Sequence, residues 1–348
     1  MKAVYCERPG GVDVLVDGEV ERPTPGPRDV LVGVAAISVN PIDIKQRVNA
    51  PAPATAGAAV VFPEGRRVLG YDASGVVAEV GRDVTLFAPG DEVYAMGGVH
   101  RPGSYAEFFC VDERQIALKP TTLTHSQAAA LPLTGLTAWE LLFDRMRVPR
   151  KGTGQTAGRN GVLLVINGAG GVGSMAVQLA AALTDLTIVA TASRPESIAW
   201  VRALGAHHVI DHHRPLDEGL REVGLPEADY IASLTATEGN MAAIVRALAP
   251  QGMVGIIDAP AELDIVPLKG KSAAIAWEGV FIRSFLQTPD WIAQHQILRE
   301  VASLIDAGRL KSTMVEEKGP ISAANLARAH MHVASGRAIG KVVLTGFN

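Results

Sequence analysis

Cysteine is scarce in this sequence, with only Cys6 and Cys110 among 348 residues. Two thiols can build neither a disulfide framework nor a structural zinc site of four thiolates. Free thiols suit a reducing compartment, where disulfides are rare. We therefore expect an intracellular protein with two unpaired cysteines.

An excess of charge and a long apolar run are missing as well. The formal net charge is −4, whereas nucleic-acid and anionic-membrane partners require clustered Lys and Arg. No stretch approaches the roughly eighteen apolar residues of a membrane helix. The opening MKAVYCERPGG lacks the apolar core of a signal peptide. We expect a cytoplasmic protein with neither a nucleic-acid nor a membrane partner.

The length of the chain suits two domains. Its first part is rich in short Val-containing segments bounded by Gly, Pro and Asp, which is typical of a small barrel or sandwich. Strands are predicted at Val30–Val39, Ser74–Gly81, Glu92–Met96 and Tyr105–Val111. Beyond Leu123 the periodicity becomes helical, and Thr124 is the expected helix cap.

From residue 162 onward, strand-like and helical segments alternate, which indicates a doubly wound parallel sheet. The predicted strands are 162–167, 187–193, 207–211, 228–233, 253–258 and 280–285. The predicted helices between them are 172–183, 195–204, 215–223, 239–248 and roughly 268–277. The tail, with two helices and the strand KVVLTG, does not continue the alternation. We therefore predict three segments: 1–124 and 286–348 as one domain, and 125–285 as the other.

A glycine-rich turn follows the strand at 162–167 and opens the next predicted helix. It reads Gly168-Ala169-Gly170-Gly171-Val172-Gly173, and its place between strand and helix identifies a dinucleotide-binding fingerprint. Gly168 is expected to allow a tight turn, Gly170 the approach of a pyrophosphate, and Gly173 close packing of helix on strand. The helix N-terminus offers N–H donors to the anion. The alternative is a glycine turn without a ligand.

The end of the second strand of this region indicates which dinucleotide is bound. NAD-binding folds usually place Asp or Glu there, to accept from the ribose 2′-hydroxyl. This chain has Ser193 and Arg194 instead, which can hydrogen-bond and pair with a 2′-phosphate. The alternative makes Ser193 a helix cap and Arg194 a solvated charge. We predict NADP(H), with His212 as a further cofactor contact past the third strand.

Four histidines near the third strand raise the question of a metal site. They are His207, His208, His212 and His213. Because successive strand residues point to opposite faces, two ligands at most share a face, and no thiolate is nearby. A solvated strand end is the preferred interpretation.

The motifs together resemble the medium-chain dehydrogenase/reductase superfamily over nearly the whole chain. They are SVNPIDIK (38–45), VLGYDASGVVAEVG (68–81), PGDEVYA (89–95), ALPLTGLTAWELL (130–142), NGAGGVGSMAVQLA (167–180) and GKVVL (340–344). The branch resembled is that of the zinc-type alcohol dehydrogenase-like proteins, near the NADPH:quinone oxidoreductases. Where zinc-dependent relatives carry a catalytic Cys, this chain has Asn40, and Gly70-Tyr71-Asp72 stands in place of Gly-His-Glu. Residues 96–105 contain no structural cysteines, so no zinc is expected.

The resemblance implies a GroES-like catalytic domain and a Rossmann domain, with the active site in the cleft between them. It implies reduction of a quinone or an α,β-unsaturated carbonyl by NADPH. It places Asn40 and Thr134 near the nicotinamide, and Gly170 and Val172 at the pyrophosphate. It also implies that Phe281 to Phe285 and Arg337 to Lys341 border the cofactor.

Such a reduction needs an oriented hydride donor and a group that polarises the carbonyl. Tyr71 is a candidate hydroxyl donor, although an aromatic packing role is the alternative, and Asn40 is a second polariser. Asp43 is predicted to be a supporting hydrogen-bonding group rather than a base. The uncharged loop from Val48 to Pro63 could form an apolar lip for a hydrophobic substrate, or a plain surface loop.

Two other functions compete with this prediction. One is a zinc-dependent alcohol dehydrogenase, and the other is a cofactor-binding protein without catalysis. The apolar strand at 280–285 is expected to be the edge of the sheet, and because apolar edges tend to be covered, we expect a homodimer joined there.

Overall fold

The computed structural model describes residues 1–48, 66–152 and 161–347. The chain divides into two compact units, one made of Met1–Leu133 with Phe281–Asn348, the other of Thr134–Val280. The boundaries expected from sequence lay at 124/125 and 285/286. The difference at the first boundary arises because the segment after Thr124 packs on the first unit, where the Leu133 N–H donates to Asp72 at 2.8 Å. The segment Val48 to Pro63 was expected to form an apolar lip, and its residues 49–63 lie outside the described residues.

The strands are β1 Lys2–Cys6, β2 Val16–Glu19, β3 Asp29–Val39, β4 Arg67–Val68, β5 Asp72–Val80, β6 Glu92–Met96, β7 Phe108–Asp112, β8 Ile116–Leu118, β9 Val162–Ile166, β10 Thr187–Thr191, β11 His208–Ile210, β12 Ala228–Ser233, β13 Leu248–Ile256, β14 Ala274–Trp277, β15 Met314–Glu317 and β16 Lys341–Thr345. The helices are α1 Pro41–Arg47, α2 His125–Ala129, α3 Pro132–Trp139, α4 Gly171–Leu183, α5 Pro195–Ala203, α6 Leu216–Glu222, α7 Thr237–Ala247, α8 Ile282–Phe285, α9 Ala293–Asp306 and α10 Ala323–Ala334. None of the helices in these described ranges has the length and apolarity that crossing a membrane would require.

The first unit is built on the eleven-residue strand β3. Its main sheet has the order β15-β16-β3-β5-β6-β8, with β7 also paired to β3, and a small sheet β2-β1-β4 accompanies it. Apolar side chains of β3, β5, β6 and β7 form one core cluster, as the alternating Val residues predict. This is the β-rich unit expected from sequence. Thr124 caps α2 as predicted, since its hydroxyl accepts the Gln127 N–H at 3.3 Å.

The far end of the chain returns to this unit as β16. It pairs antiparallel with β3 in a register that sets Val342 opposite Val39. Lys341, at the start of β16, therefore lies beside the point where β3 ends and Asn40 begins the turn into α1. This pairing positions one half of the candidate site.

The second unit is a six-stranded, wholly parallel sheet with the order β11-β10-β9-β12-β13-β14. All five residues of the central strand β9 are buried, as expected for a parallel strand covered on both faces. The chain passes from β9 to β10 on one side and later to β12 on the other. The strand order thus reverses beside β9, which is where open α/β sheets bind ligands.

The prediction for residues 268–285 was wrong. The segment predicted as the sixth strand, 280–285, contains the short helix α8. The sixth strand is β14, inside the segment predicted as a helix, which otherwise forms a 3₁₀ turn at Val266–Lys271. Pairing with β13 makes Ala274–Trp277 extended despite the helix propensity of its alanines, because propensity is a weak prior. The dimer surface expected at 280–285 depended on an edge strand there, and this segment is not a strand.

Candidate functional site

The glycine-rich turn lies at the carboxyl end of β9, as predicted. The sharp turn is made by Asn167, whose φ of 63° is left-handed, a conformation that Asn tolerates better than most residues. A Cβ on Gly168 would stand 2.7 Å from the Ala190 Cβ of β10, and a Cβ on Gly173 would stand 2.2 Å from the Asn167 carbonyl oxygen. Both glycines are therefore required by close packing, and the turning role expected of Gly168 belongs to Asn167.

The turn leads directly into the N-terminus of α4. Gly170 is the N-cap residue, so the amides of Gly171, Val172 and Gly173 begin the helix without partners from a preceding turn. Such amides attract an anion. The atoms nearest to a Cβ on Gly170 would be those of the Asn167 side chain, at 2.9 Å, so a side chain rather than backbone limits this position.

Ser193 and Arg194 follow β10, and His212 follows β11. The two strands are parallel, with Thr191 opposite Ile210, so these residues leave the same edge of the sheet. Arg194 is the N-cap residue of α5, and the Ser197 hydroxyl accepts its N–H at 3.2 Å. Ser193 is therefore not the helix cap of the alternative interpretation.

His212 lies among charged groups of both signs. Burial lowers the pKa of His212, and the neighbouring His213 and Arg194 lower it further, whereas the Asp211 carboxylate opposes the shift. The rings of His212 and His213 lie 4.3 Å apart, centre to centre. The guanidinium of Arg194 has a carboxylate at 3.5 Å, that of Glu196. A cation and two imidazoles therefore share this edge of the sheet.

A second group of polar side chains is buried in the first unit, around Asn40. The Asn40 amide Nδ2 donates to Asp72 Oδ2 at 2.8 Å, and the Ser38 hydroxyl donates to the same oxygen at 2.7 Å. The Lys341 ammonium donates to Asn40 Oδ1 and to the Val39 carbonyl, and lies 3.4 Å from Asp72 Oδ2. We call Asn40, Asp72 and Lys341 the amide cluster. Its Asn40 side chain is fixed at both ends of the amide.

The charges of this cluster are deeply buried. Asp72 is completely buried and Lys341 is 3% exposed. Burial lowers the pKa of Lys341, while the carboxylates of Asp72 and Asp43 oppose that shift. A buried ion pair is costly unless its hydrogen bonds are satisfied, and here Asp72 accepts from a hydroxyl, an amide and a backbone N–H.

Asp43 holds Asn40 from the other side. Its Oδ2 accepts the Asn40 backbone N–H at 2.6 Å. Burial raises the pKa of Asp43 to about 7, although the Asn40 N–H and the Lys341 ammonium favour the ionised form. The predicted supporting role fits this geometry, because the carboxyl group is fully buried.

Tyr71 is 2% exposed and packs edge to face against Phe281, with ring centroids 5.1 Å apart. Burial raises the pKa of its phenol, Asp43 raises it further, and Arg67 opposes the shift. The phenol therefore keeps its proton at neutral pH. Its burial and its Phe281 contact favour the packing role that the sequence left as an alternative.

The predicted site residues fall into two sets. Asn40, Asp43, Tyr71, Phe281 and Lys341 belong to the first unit. The glycine turn, Ser193, Arg194 and His212 belong to the second unit, as does Thr134, which is buried in α3. Phe281 lies beside Tyr71 and Lys341 beside Asn40, and their expected place at the cofactor stays a prediction.

Several buried polar residues of the first unit were not predicted to have a role: Ser38, Arg47, Asp72, Tyr105 and His330. Asp72 and Ser38 carried a weak signal, since each is a polar residue at the end of an apolar strand. Tyr105 and His330 carried none, because they meet only through the tertiary fold.

Of the four histidines near β11, only His208 lies within the strand. The His207 Nδ1 accepts the Ile188 backbone N–H at 2.9 Å. Over the described ranges as a whole, no three His, Cys, Asp or Glu side chains come together in a way that could hold a metal ion.

Two family models match this chain. The alcohol dehydrogenase GroES-like domain matches residues 26–121, and the zinc-binding dehydrogenase model matches residues 204–344. The first match falls in the β-rich unit, and the second runs from the parallel sheet into the returning tail.

Individual relatives match nearly the full length. A zinc-type alcohol dehydrogenase-like protein of Staphylococcus aureus is 37% identical over 94% of this chain and 93% of its own. The NADPH-dependent alkenal/one oxidoreductase of Arabidopsis thaliana chloroplasts is 30% identical, over 99% of this chain and 79% of its own.

Solved structures of dehydrogenases and reductases are also similar to this chain over nearly its full length. A Rhizobium etli protein assigned to the zinc-dependent alcohol dehydrogenases has 46% identity and a TM-score of 0.93, and the match covers 100% of this chain and 98% of that one. A quinone oxidoreductase of Pseudomonas syringae has 27% identity and a TM-score of 0.79, with 99% of each chain covered.

Proposed function

Because this chain belongs to the medium-chain dehydrogenase/reductase superfamily, in its zinc-type alcohol dehydrogenase-like branch, we propose that it is an NADPH-dependent oxidoreductase. The proposed reaction is hydride transfer to a quinone or an α,β-unsaturated carbonyl, without zinc. The observation that carries the proposal is the ammonium of Lys341 within the amide cluster.

The amide cluster does not suit a zinc ion. Zinc prefers thiolate, imidazole and carboxylate ligands, whereas Asn40 offers an amide whose oxygen already accepts from Lys341. Asp72, the remaining carboxylate, lies 3.4 Å from the same ammonium. By the resemblance given above, Asn40 and Asp72 stand where zinc-dependent relatives carry Cys and Glu. A built-in cation thus supports a reaction that needs no metal.

The same contacts suit Asn40 to polarise a carbonyl. Its amide carries two N–H groups, and one of them donates to Asp72. Donation by Lys341 to the amide oxygen polarises the amide and strengthens its N–H donors, as in other hydrogen-bond chains. A fixed donor aimed at a developing oxyanion stabilises the transition state. Quinones and enones are electrophilic enough to react with this degree of polarisation.

The second unit supports the choice of NADPH. When bound, NADPH supplies the hydride. The Arg194 guanidinium and the His212 imidazole lie at the edge where the adenosine ribose is expected, and β10 continues as Ala192-Ser193-Arg194, with no carboxylate. A 2′-phosphate would therefore meet Ser193 and Arg194 at the position where NAD-binding folds place a carboxylate. The similarity to an NADPH-dependent alkenal/one oxidoreductase and to a quinone oxidoreductase points the same way.

A substrate screen with metal analysis tests the proposal. We expect purified protein to oxidise NADPH with quinones, enones or 2-alkenals, to keep that activity after chelation, and to contain no stoichiometric zinc. Asn40→Ala should lower kcat about tenfold to a hundredfold, the range expected for a lost hydrogen bond to an oxyanion. The variant Asn240→Ala, which changes a half-buried Asn on α7 of the second unit, is the control.

Two outcomes would contradict the proposal. Stoichiometric zinc that is needed for alcohol oxidation would make the chain a zinc-dependent alcohol dehydrogenase. Tight NADPH binding with no turnover of any acceptor would indicate a cofactor-binding protein without catalysis.

A further inference from the structure

A line of buried polar side chains connects Asp43 to the opposite side of the first unit. The Tyr105 hydroxyl lies 3.1 Å from His330 Nε2, and the Arg47 Nε donates to His330 Nδ1 at 3.3 Å. Arg47 ends at the Gly10 carbonyl, to which it donates at 2.7 Å. Tyr105 and His330 are completely buried, and Arg47 is 5% exposed. None of these three residues has a role in the proposed reaction as described so far.

The direction of these hydrogen bonds follows from Arg47. A guanidinium can only donate, so His330 Nδ1 accepts and the ring proton lies on Nε2. Burial and the Arg47 charge lower the pKa of His330 to about 3, which keeps the ring neutral. His330 Nε2–H therefore donates to the Tyr105 oxygen, and the Tyr105 O–H is left to donate onward.

The acceptor available to Tyr105 is the carboxyl group of Asp43. Hydrogen bonding from Tyr105 favours the ionised form of that carboxyl. The Asp43 Oδ1 atom is buried and makes no hydrogen bond of standard geometry within the described part of the chain, and Tyr105 is the side-chain hydroxyl that interacts with this carboxyl group. The charged or titratable groups that face Asp43 from other elements are Lys341 of β16, Asp72 of β5 and the phenol of Tyr71.

We propose that Tyr105, oriented by His330 and Arg47, is a positioning residue for the Asp43 carboxyl group, which in turn holds the Asn40 backbone in place. An ionised carboxylate binds the Asn40 N–H more strongly than a neutral acid does. Loss of that charge loosens the turn that carries the Asn40 amide. The effect on turnover rests on the proposed function, whereas the effect on Asp43 does not.

The glycine at position 70 supports the arrangement. Gly70 has a φ of +100°, and a Cβ there would stand 2.3 Å from the Tyr105 ring. Tyr105 therefore lies against the backbone of the segment that carries Tyr71 and Asp72. Its position is fixed by packing as well as by His330.

The test compares pH profiles of Tyr105→Phe and the wild type. We expect wild-type kcat to rise with pH through neutrality, as Asp43 ionises. In Tyr105→Phe the midpoint should move to higher pH. The kcat at pH 7 should fall about threefold to tenfold, because one pH unit changes an ionised fraction by up to tenfold. Activity should recover at higher pH, with an unchanged KM for NADPH.

Three further variants separate this role from general loss of packing. Tyr94→Phe removes the hydroxyl of another buried tyrosine of this unit, which donates to the Leu298 carbonyl, and it should leave the midpoint unchanged. His330→Leu should shift the midpoint upward, and His330→Gln, which can still accept from Arg47 and donate to Tyr105, should restore it.

A readout without turnover keeps the two proposals separate. The carboxylic-acid infrared band of Asp43, identified by its loss in Asp43→Asn, should titrate near neutral pH in the wild type and at higher pH in Tyr105→Phe and His330→Leu. An unshifted band in these variants overturns the positioning role. A shifted band in a protein that reduces no acceptor overturns the proposed function alone.

Discussion

Asp43 brings a titrating carboxyl group into the interior of the first unit. Burial raises its pKa from 3.8 to about 7, so the folded state binds this proton more tightly than the unfolded state does. Its contribution to stability is fully present below pH 4 and is lost as the pH rises through 7. Linkage allows a loss of up to about 4 kcal/mol.

We expect Asp43→Asn to remove this pH dependence. Relative to the wild type, the free energy of unfolding of the variant should increase between pH 5 and pH 8, as measured by urea unfolding at both pH values. Asp13→Asn changes a carboxylate of an exposed ion pair. The difference in unfolding free energy between this variant and the wild type should be the same at pH 5 and pH 8. Parallel curves for Asp43→Asn and the wild type would show that Asp43 does not titrate in this range.

Arg194 should decide between the two nicotinamide dinucleotides. A charge-assisted hydrogen bond contributes about 1.5–3 kcal/mol, so Arg194→Ala should raise the KM for NADPH about tenfold to a hundredfold and leave the KM for NADH nearly unchanged. Arg202→Ala, at an exposed position in the last turn of α5, is the matched control. Equal losses with both cofactors would exclude pairing of Arg194 with the 2′-phosphate.

At the scale of elements, two glycines occupy the third position of Rossmann helices under opposite constraints. Gly173 of α4 has no room for a Cβ, which would stand 2.2 Å from the Asn167 carbonyl oxygen, whereas nothing lies within 4 Å of a Cβ on Gly239 of α7. Gly173→Ala should therefore lower the melting temperature and weaken NADPH binding. Gly239→Ala should raise stability by roughly 0.5–1 kcal/mol, the ordinary helix preference for Ala. Thermal unfolding and NADPH titration of both variants measure these changes. Equal melting temperatures and equal NADPH affinities for the two variants would show that the glycine turn can accommodate a Cβ at position 173.

The π-helical segment Glu140–Arg145 packs a carboxyl pair against β14. Burial and the adjacent Glu140 raise the pKa of Glu278 to about 9, although Arg145 donates to Glu278 at 2.8 Å. Glu278 therefore keeps its proton in the folded state at neutral pH. Its contribution to the free energy of unfolding is fully present below pH 4.5 and is lost as the pH rises through 9. Glu278→Gln should gain stability relative to the wild type between pH 5 and pH 9. Guanidinium unfolding across that range gives the difference, and an exposed carboxylate variant, Glu222→Gln, should show none.

Elements with strong periodicity could be predicted from the sequence. The strand Glu92–Met96 and the Rossmann strands up to Ala228–Ser233 were recognised, the latter because β-branched runs alternated with helices at βαβ spacing. The structure of the segment 268–285 could not be predicted in this way. Its strand β14 has only four residues and is extended because it pairs with β13. In the candidate site, the glycine turn was recognisable because all its parts are consecutive. The amide cluster was only half recognisable, because Lys341 reaches Asp72 across 269 positions of sequence.

For the whole molecule, the homodimer remains a proposal, and its surface moves to β14. This strand ends the parallel sheet and pairs with β13 alone among the described strands, while its Trp277 is 52% exposed. An apolar edge strand of this kind tends to be covered by another chain. We expect a dimer by analytical ultracentrifugation, and dissociation in Trp277→Lys.

Leu118→Lys is the control for that experiment. Leu118 is 54% exposed on β8, the edge of the other sheet, and its replacement should leave the dimer intact. A wild-type monomer at all concentrations would contradict the proposal.

The late return of β16 has a consequence for how the protein is made. The unit Thr134–Val280 is continuous in sequence, so a ribosome releases all of it before Lys341 emerges. The other unit must wait for β16, because Asp72 would otherwise be buried without its ammonium. Domains commonly gain their structure in the order of synthesis, but here the unit that starts second should acquire a protease-resistant core first. Nascent chains arrested before residue 341 should therefore show protection over 134–280 while the N-terminal segment is still open to digestion.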